Sequence, residues 1–97
     1  MAKLVADFSK CLIIGNLVSV EWVDISGGIN MHTDDVDLIP CISIGIVAII
    51  KHDRIKLCNS LFAGGHVSKG HGDYTAIPTG VIKRVKVIRH NYMERYK

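Results

Sequence analysis

The feature that most constrains the fold is a near-continuous apolar run, Ile42–Ile50, made mostly of isoleucine and valine. β-Branched side chains favour strands because a helix restricts their rotamers. The run has the length of a strand and is too short to span a bilayer, which takes about 20 residues. It therefore predicts a central strand that bends or bulges at Gly45, where the side chain is missing.

Four further segments have the composition of strands: Leu17–Val23, Arg54–Phe62, Asp73–Ile77 and Val81–Ile88. In the first, alternation places Val18, Val20 and Trp22 on the side predicted to face the core. In the last, alternation divides the side chains between two faces: Val81, Lys83, Val85 and Val87 on one, and Ile82, Arg84, Lys86 and Ile88 on the other.

Turn-forming residues separate these strands. The pair His52-Asp53 predicts a tight turn, so the central run and the strand after it form a β-hairpin. The pair Thr79-Gly80 turns the chain before the last strand. Residues 24–40 are rich in Gly and Asp and predict a long loop or a short irregular turn. Four glycines in Gly64–Gly72 predict a flexible surface loop.

The first sixteen residues have two interpretations. Apolar residues at helical spacing favour a short helix that Gly15 ends: Leu4, Val5, Phe8 and Leu12. Alternatively, residues 11–14 form an edge strand. Together these segments predict a mainly β fold, a small five-stranded barrel with a short N-terminal helix.

A chain of 97 residues fits a single domain, because two cores would each bury too little surface. We predict one domain over residues 1–97, with its core at about 17–88 and a basic, aromatic tail at 89–97. The odd number of cysteines indicates a reducing compartment, and we expect Cys11, Cys41 and Cys58 to be buried thiols. No segment resembles a membrane span or a secretory signal, so we expect a cytoplasmic protein with no membrane partner.

The net charge of +3 is divided unevenly along the chain. Residues 1–50 contain two lysines and six acids, giving −4, whereas residues 51–97 contain ten Lys or Arg and three acids, giving +7. If the fold places the two halves on different faces, identical copies could meet acidic face to basic face in a ring. We therefore expect a homo-oligomer.

The order of the strand segments resembles that of small phage-encoded proteins with an SH3-like or Sm-like barrel. A V-x-W-x-D strand, a glycine in the next strand and an I-P-x-x-x-I-x-x-I segment carry the resemblance, through Val20, Trp22, Asp24, Gly45, Ile77, Pro78, Ile82 and Val85. The chain departs from the pattern at Ile25, where a small residue is usual, and in its N-terminal segment. The resemblance implies an SH3-like or Sm-like barrel of phage or prophage origin, acting in a bacterial host cell. Related Sm-like proteins form rings that bind RNA, although fold likeness alone implies little about activity.

Two clusters contain residue types that bind metals: His32, Asp34, Asp35 and Asp37 in one, and His66, His71 and Asp73 in the other. The first lacks the glycine and terminal glutamate of a calcium loop, and the second lacks a Cys pair or a helical His pair. We interpret both as polar loops and expect no metal and no cofactor. A reactive thiol needs an exposed electropositive setting, which the strand positions of Cys41 and Cys58 do not predict. We therefore expect no catalytic residue.

The best binding candidates are cations and a tyrosine in the second half of the chain: Lys69, Lys83, Arg84, Lys86, Arg89, Tyr92 and Arg95. Cations neutralise phosphates, and tyrosines stack on unpaired bases. The glycine-rich segment lacks the order of a P-loop, so we interpret it as a hairpin loop, although its backbone and Lys69 could approach a phosphate. An alternative role for Arg84 and Lys86 is to protect an edge strand from aggregation.

These features predict a non-enzymatic, homo-oligomeric module that binds an anionic ligand, either nucleic acid or a nucleotide. A specific version is a nucleotide sponge that blunts host immune signalling. The alternative is a protein–protein module, such as a virion component or an inhibitor of a host defence protein. This alternative is favoured by Ile42–Ile50, which is apolar on both faces of its strand.

Overall fold

Five antiparallel strands make up most of the chain that the computed structural model describes, namely residues 8–25, 38–61, 65–67 and 71–93. The strands are β1 (Leu17–Ile25), β2 (Leu38–Ile50), β3 (Arg54–Leu61), β4 (Gly72–Pro78) and β5 (Ile82–Arg89). They form one sheet in the order β4, β3, β2, β1, β5. The predicted mainly β fold with five strands is confirmed, as is the hairpin of β2 and β3.

The sheet is strongly bent but not closed. Within the described part of the chain, β4 and β5 are its two edges and no ladder joins them. A 3-10 turn, Thr79–Val81, is the whole connection between Pro78 and Ile82. Four peptide steps reach at most about 14 Å, whereas the edges of a flat five-stranded sheet lie about 19 Å apart. The sheet must therefore curve until its edges approach each other at this end.

One hydrophobic core forms between the strands of the bent sheet. Its buried members come from all five strands and the N-terminal segment: Leu12, Val18, Val20, Val47, Ile55, Leu57, Ile77 and Ile82. Trp22 packs against this core, as the alternation of β1 predicts, and its Nε1 donates a hydrogen bond to Ser43 Oγ at 3.0 Å. The buried face of β1 is thus predicted correctly.

The central strand β2 changes partners along its length. It pairs with β1 over Leu38–Ile46 and with β3 over Ile46–Ile50. Where the two ladders meet, a Cβ on Gly45 would lie 2.9 Å from the Cys58 carbonyl oxygen, so only glycine fits without a shift. The irregularity lies between Val47 and Ile49 rather than at Gly45. Gly45 instead allows β3 to approach β2 closely.

A second cluster covers the other face of β2, β3 and β4. Its buried members are Ala48, Cys58 and Val67, with Tyr74 and Met93 packed against them. The Tyr74 hydroxyl donates to the Val67 carbonyl at 3.0 Å. The prediction of a flexible loop over Gly64–Gly72 is therefore wrong at Val67, which is anchored, and at Gly72, which begins β4.

Three boundaries differ from the predictions. β1 and β2 extend to Ile25 and back to Leu38, into the segment predicted as a loop, because their ladder continues that far. Residues 26–37 lie outside the described residues. At the N-terminus, the described residues 8–16 form two hydrogen-bonded turns rather than a helix: Leu12 N–H donates to the Phe8 carbonyl at 2.8 Å, and Asn16 N–H donates to the Ile13 carbonyl at 3.0 Å. The helix is replaced because Asn16 continues into the sheet, where its carbonyl accepts from Val47 N–H at 2.9 Å.

The predicted faces of the last strand are also corrected. Ile82 is buried and shares the core with Val85 and Val87, although alternation places it on their opposite side. The register with β1 shifts between Glu21 and Trp22, which inserts Lys83 as an extra residue. This bulge moves Ile82 inward and leaves Lys83 exposed. In the described chain, no helix is long and apolar enough to cross a membrane.

Candidate functional site

The candidate site is the edge strand β5, which pairs with β1 on one side. Four exposed side chains, which we call the β5 cations, follow its length: Lys83, Arg84, Lys86 and Arg89. Val85 and Val87 contact the core. Because side chains alternate across a strand, Arg84 and Lys86 point away from the core to the outer face of the sheet.

The neighbouring strand β1 places polar side chains beside two of the β5 cations. Lys86 pairs with Ser19, and Arg84 pairs with Glu21. The Arg84 Nε atom lies 3.6 Å from Glu21 Oε2, and both side chains are exposed. An exposed ion pair of this kind contributes about 0 to 1 kcal/mol and is screened by salt. The outer face of β5 therefore stays net positive.

The other predicted ligand-binding residues have different positions. Tyr92 follows β5 by a short turn, in which Asn91 has a left-handed backbone with φ of 52°, and its side chain is half-buried. Lys69 and Arg95 lie outside the described residues. The structure thus brings together four of the seven predicted residues on one strand.

The metal-ligand candidates form no cluster where they are described. His66, His71 and Asp73 are exposed, and within the described ranges no group of three or more His, Cys, Asp or Glu could hold a metal ion. The acidic cluster, His32, Asp34, Asp35 and Asp37, lies in the segment that the structure does not describe. Both metal interpretations therefore remain without structural support.

The thiols differ from the prediction in two of three cases. Cys58 is buried in the second cluster, as expected. Cys11 and Cys41 are only partly buried. Cys41 is accessible because it lies on the part of β2 that extends past β3, where its Sγ is 3.5 Å from the Ile39 carbonyl.

A second exposed surface lies on the first half of β2. Its large apolar side chains are exposed to solvent: Leu38, Ile39, Ile42 and Ile44. Among the described residues, β3 pairs with β2 only from Ile46 onward, so this half of β2 has a strand on one side alone. The apolar composition was visible in the sequence, but the open edge depends on where β3 ends and could not be predicted.

Tyr74 holds Val67 over the second cluster through its hydroxyl group. Burial raises the pKa of Tyr74, and the nearby Cys58 raises it further. The neutral phenol is therefore favoured in the folded protein, so its contribution to stability is complete below the ordinary tyrosine pKa of about 10 and is lost as pH rises through the higher folded value.

We expect Tyr74→Phe to lower the free energy of unfolding by about 1 kcal/mol at neutral pH, because the hydrogen bond to Val67 is lost. The variant should also lose less stability than the wild type above about pH 10. Urea unfolding at neutral and alkaline pH measures both effects. A Tyr74→Phe variant as stable as the wild type at neutral pH would contradict the role assigned to Tyr74.

No protein-family model matches this chain, and neither a curated protein nor a solved structure matches it. The fold and the β5 cations are therefore the basis for a functional proposal.

Proposed function

We propose that this protein is a non-enzymatic, homo-oligomeric module of phage or prophage origin that binds an anionic ligand, either nucleic acid or a nucleotide. The supporting observation is the row of four exposed β5 cations. In the described chain only Arg84 among them has a carboxylate within ion-pair distance. Lysine and arginine bind phosphates by displacing counterions, so this strand favours a phosphate-bearing ligand.

The spacing on β5 supports repeated phosphate contacts. Arg84 and Lys86 lie on one face of the strand, about 7 Å apart along its axis. Ser19, next to Lys86, adds a hydroxyl group that can donate to a phosphate oxygen. Contacts to phosphates do not distinguish bases, so binding to nucleic acid through this face would have little sequence preference.

We expect the double variant Lys86→Ala, Arg89→Ala to bind single-stranded RNA or DNA more weakly than the wild type. If each side chain neutralises one phosphate, the slope of log K against log salt should decrease in magnitude by about 1.4, or about 0.7 per contact. Fluorescence anisotropy at about 50 and 200 mM salt measures both quantities. No affinity of the wild type even at low salt would exclude the proposal.

Lys51→Ala is the matched control, since Lys51 is exposed at the turn after β2, and that turn bonds to Thr79 before the start of β5 rather than to the end that holds Lys86 and Arg89. An equal loss of affinity in the Lys51→Ala control would mean that net charge, rather than the β5 cations, determines binding. Cyclic oligonucleotides in the same assay test the nucleotide sponge version. Tight binding of one small nucleotide, insensitive to salt, would favour a sponge over general nucleic-acid contact.

A second candidate function is a protein–protein module, such as a virion component or an inhibitor of a host defence protein. It is favoured by the exposed apolar side chains of β2, because soluble monomers rarely expose large apolar patches. A specific host protein that is retained after nuclease treatment, and lost in an Ile42→Lys variant, would support this function over anion binding.

A further inference from the structure

The backbone direction along the open edge of β2 follows from two hydrogen bonds. Asn59 Nδ2 donates to the Ile44 carbonyl at 2.7 Å, from the side of β3. Val47 N–H donates to the Asn16 carbonyl at 2.9 Å, on the side of β1. Backbone N–H and C=O groups alternate between the two sides of a strand. The even-numbered residues of β2 therefore direct their N–H and C=O groups away from β1. The ladder with β1 is continuous, so this alternation holds from Ile44 back to Pro40.

Two positions on this edge differ from an ordinary strand. Pro40 has no N–H group, which is tolerated because the missing group would face the open side rather than β1. The carbonyl of Ile44 already accepts from the Asn59 side chain. Between them, Ile42 directs both its N–H and its carbonyl to the open edge.

These two irregular positions match each other when the edge pairs antiparallel with a copy of itself. With Ile42 on the two-fold axis, Ile42 faces Ile42 of the second copy, and Pro40 faces Ile44. The missing proline N–H then lies opposite the one carbonyl that Asn59 already satisfies. Ile42 exchanges two hydrogen bonds across the axis, and each Ile44 N–H donates to a Pro40 carbonyl. Within Pro40–Ile44, each backbone donor and acceptor that faces this edge then has a partner.

The neighbouring registers lack this match. If Ile42 faces Pro40, the Ile42 carbonyl has no donor opposite it. If Ile42 faces Ile44, Pro40 faces Ile46, which already pairs with β3, so the Pro40 carbonyl has no donor. An unsatisfied carbonyl makes either register less favourable. The edge therefore specifies one pairing.

Charge and side chains also suit a second copy. β2 contains no charged residue over its 13 positions, so two identical edges meet without repulsion, whereas the sheet edge at β5 carries four cations. Charged residues are a usual protection against edge-to-edge pairing, and β2 lacks them. Pairing brings Ile42, which is 65% exposed, against Ile42 of the second copy, and it brings Ile44, which is 55% exposed, against Pro40. The charged β5 strands then lie at both outer edges, giving an apolar centre and a polar rim.

We propose that two copies of this chain form a symmetric dimer in which Pro40–Ile44 of β2 pairs antiparallel with the same segment of the second copy, with Ile42 on the two-fold axis. The dimer rests on the proposed function only in supplying the interface of its homo-oligomer, and its formation does not depend on anion binding.

Engineered disulfides test the register. In a Cys11→Ser, Cys41→Ser background, Ile42→Cys should form a covalent dimer under mild oxidation. Residues of a hydrogen-bonded antiparallel pair lie about 5.5 Å apart at Cα, within the range of a disulfide. Ile44→Cys, at a similarly exposed position, should stay a single chain, because it faces Pro40. Equal cross-linking of both variants, or none in either, would overturn the proposed pairing.

Sedimentation of the unmodified chain tests the dimer itself. We expect the wild type to have the mass of two chains at high concentration, and Ile42→Lys to have the mass of one, because like charges meet on the axis. Ile14→Lys changes an equally apolar, 51% exposed residue outside β2 and should remain dimeric. Circular dichroism checks that each variant is folded.

The outcomes separate this inference from the anion-binding proposal. The Lys86→Ala, Arg89→Ala variant should remain dimeric while it loses affinity for nucleic acid. A wild type that stays monomeric at high concentration would overturn the dimer and leave anion binding untouched. A different protein bound at the edge of a monomeric chain would also overturn it.

Discussion

Gly45→Val is expected to lower the free energy of unfolding by about 3 kcal/mol, in the upper part of the range for overpacking. A Cβ at this position would lie 2.9 Å from the Cys58 carbonyl oxygen and 3.0 Å from Leu57 Cβ. Both atoms are fixed by the backbone of β3, so β3 must move away from β2 to make room. Urea unfolding followed by the fluorescence of Trp22, the single tryptophan, measures the loss.

Ala76→Val is the matched control for Gly45→Val. It adds a β-branched side chain at an exposed position of β4, where we expect a change within about 0.5 kcal/mol. A Gly45→Val protein as stable as the wild type would contradict the close approach of β2 and β3. A loss of equal size in both variants would mean that bulk alone, rather than this contact, is responsible.

Asn16→Leu is expected to cost about 1 to 3 kcal/mol, because two part-buried backbone groups, the Asn91 N–H and the Cys11 carbonyl, lose their partner. Asn16 is 1% exposed, although it is polar. Its Oδ1 accepts from Asn91 N–H at 3.0 Å, and its Nδ2 donates to the Cys11 carbonyl at 3.2 Å. One side chain thus holds the segments before β1 and after β5. Urea unfolding gives the loss, and hydrogen exchange should be faster at the Asn91 amide.

Asn91→Gly tests whether the Asn16 side chain or the conformation of the turn that it binds stabilises the protein. The left-handed φ of 52° at Asn91 suits glycine, and the backbone N–H that Asn16 binds is kept. We therefore expect stability within about 0.5 kcal/mol of the wild type. If Asn91→Gly destabilised the protein as much as Asn16→Leu, the turn itself would be the stabilising feature.

Strands were predictable where burial follows strict alternation. Val18 and Val20 on β1 show this, since both face the core on the predicted side. The prediction failed where a single extra residue in one strand moves the side chains that follow it to the opposite face of the sheet. Lys83 forms a bulge against β1, and no local pattern in the last strand indicates it, because the shift depends on the partner strand. Over the described residues 8–16, the predicted N-terminal helix failed for a related reason, as tertiary hydrogen bonds to Val47 outweigh local spacing.

The candidate site was predictable in part. Lysine and arginine are rarely buried, so exposure of the β5 cations follows from their type once the strand is assigned. That these four cations share a sheet edge could not be predicted from residue type, because it depends on the pairing of β5 with β1. The open edge of β2 was still harder to predict from the sequence, since Pro40 was assigned to a loop. Only the ladder with β1 and the bond from Asn59 show which way its backbone faces.

The position of β1 between β2 and β5 has a consequence for folding kinetics. β2 follows β1 in the chain, whereas β5 is the last strand to be synthesised, yet Leu17 pairs with Arg89. Sheets built on such distant pairings fold in milliseconds to seconds, because loop closure comes before the contacts that reward it. Until β5 arrives, β1 has an unprotected edge, beside the open first half of β2. Aggregation should therefore be most severe for chains interrupted before the final strand.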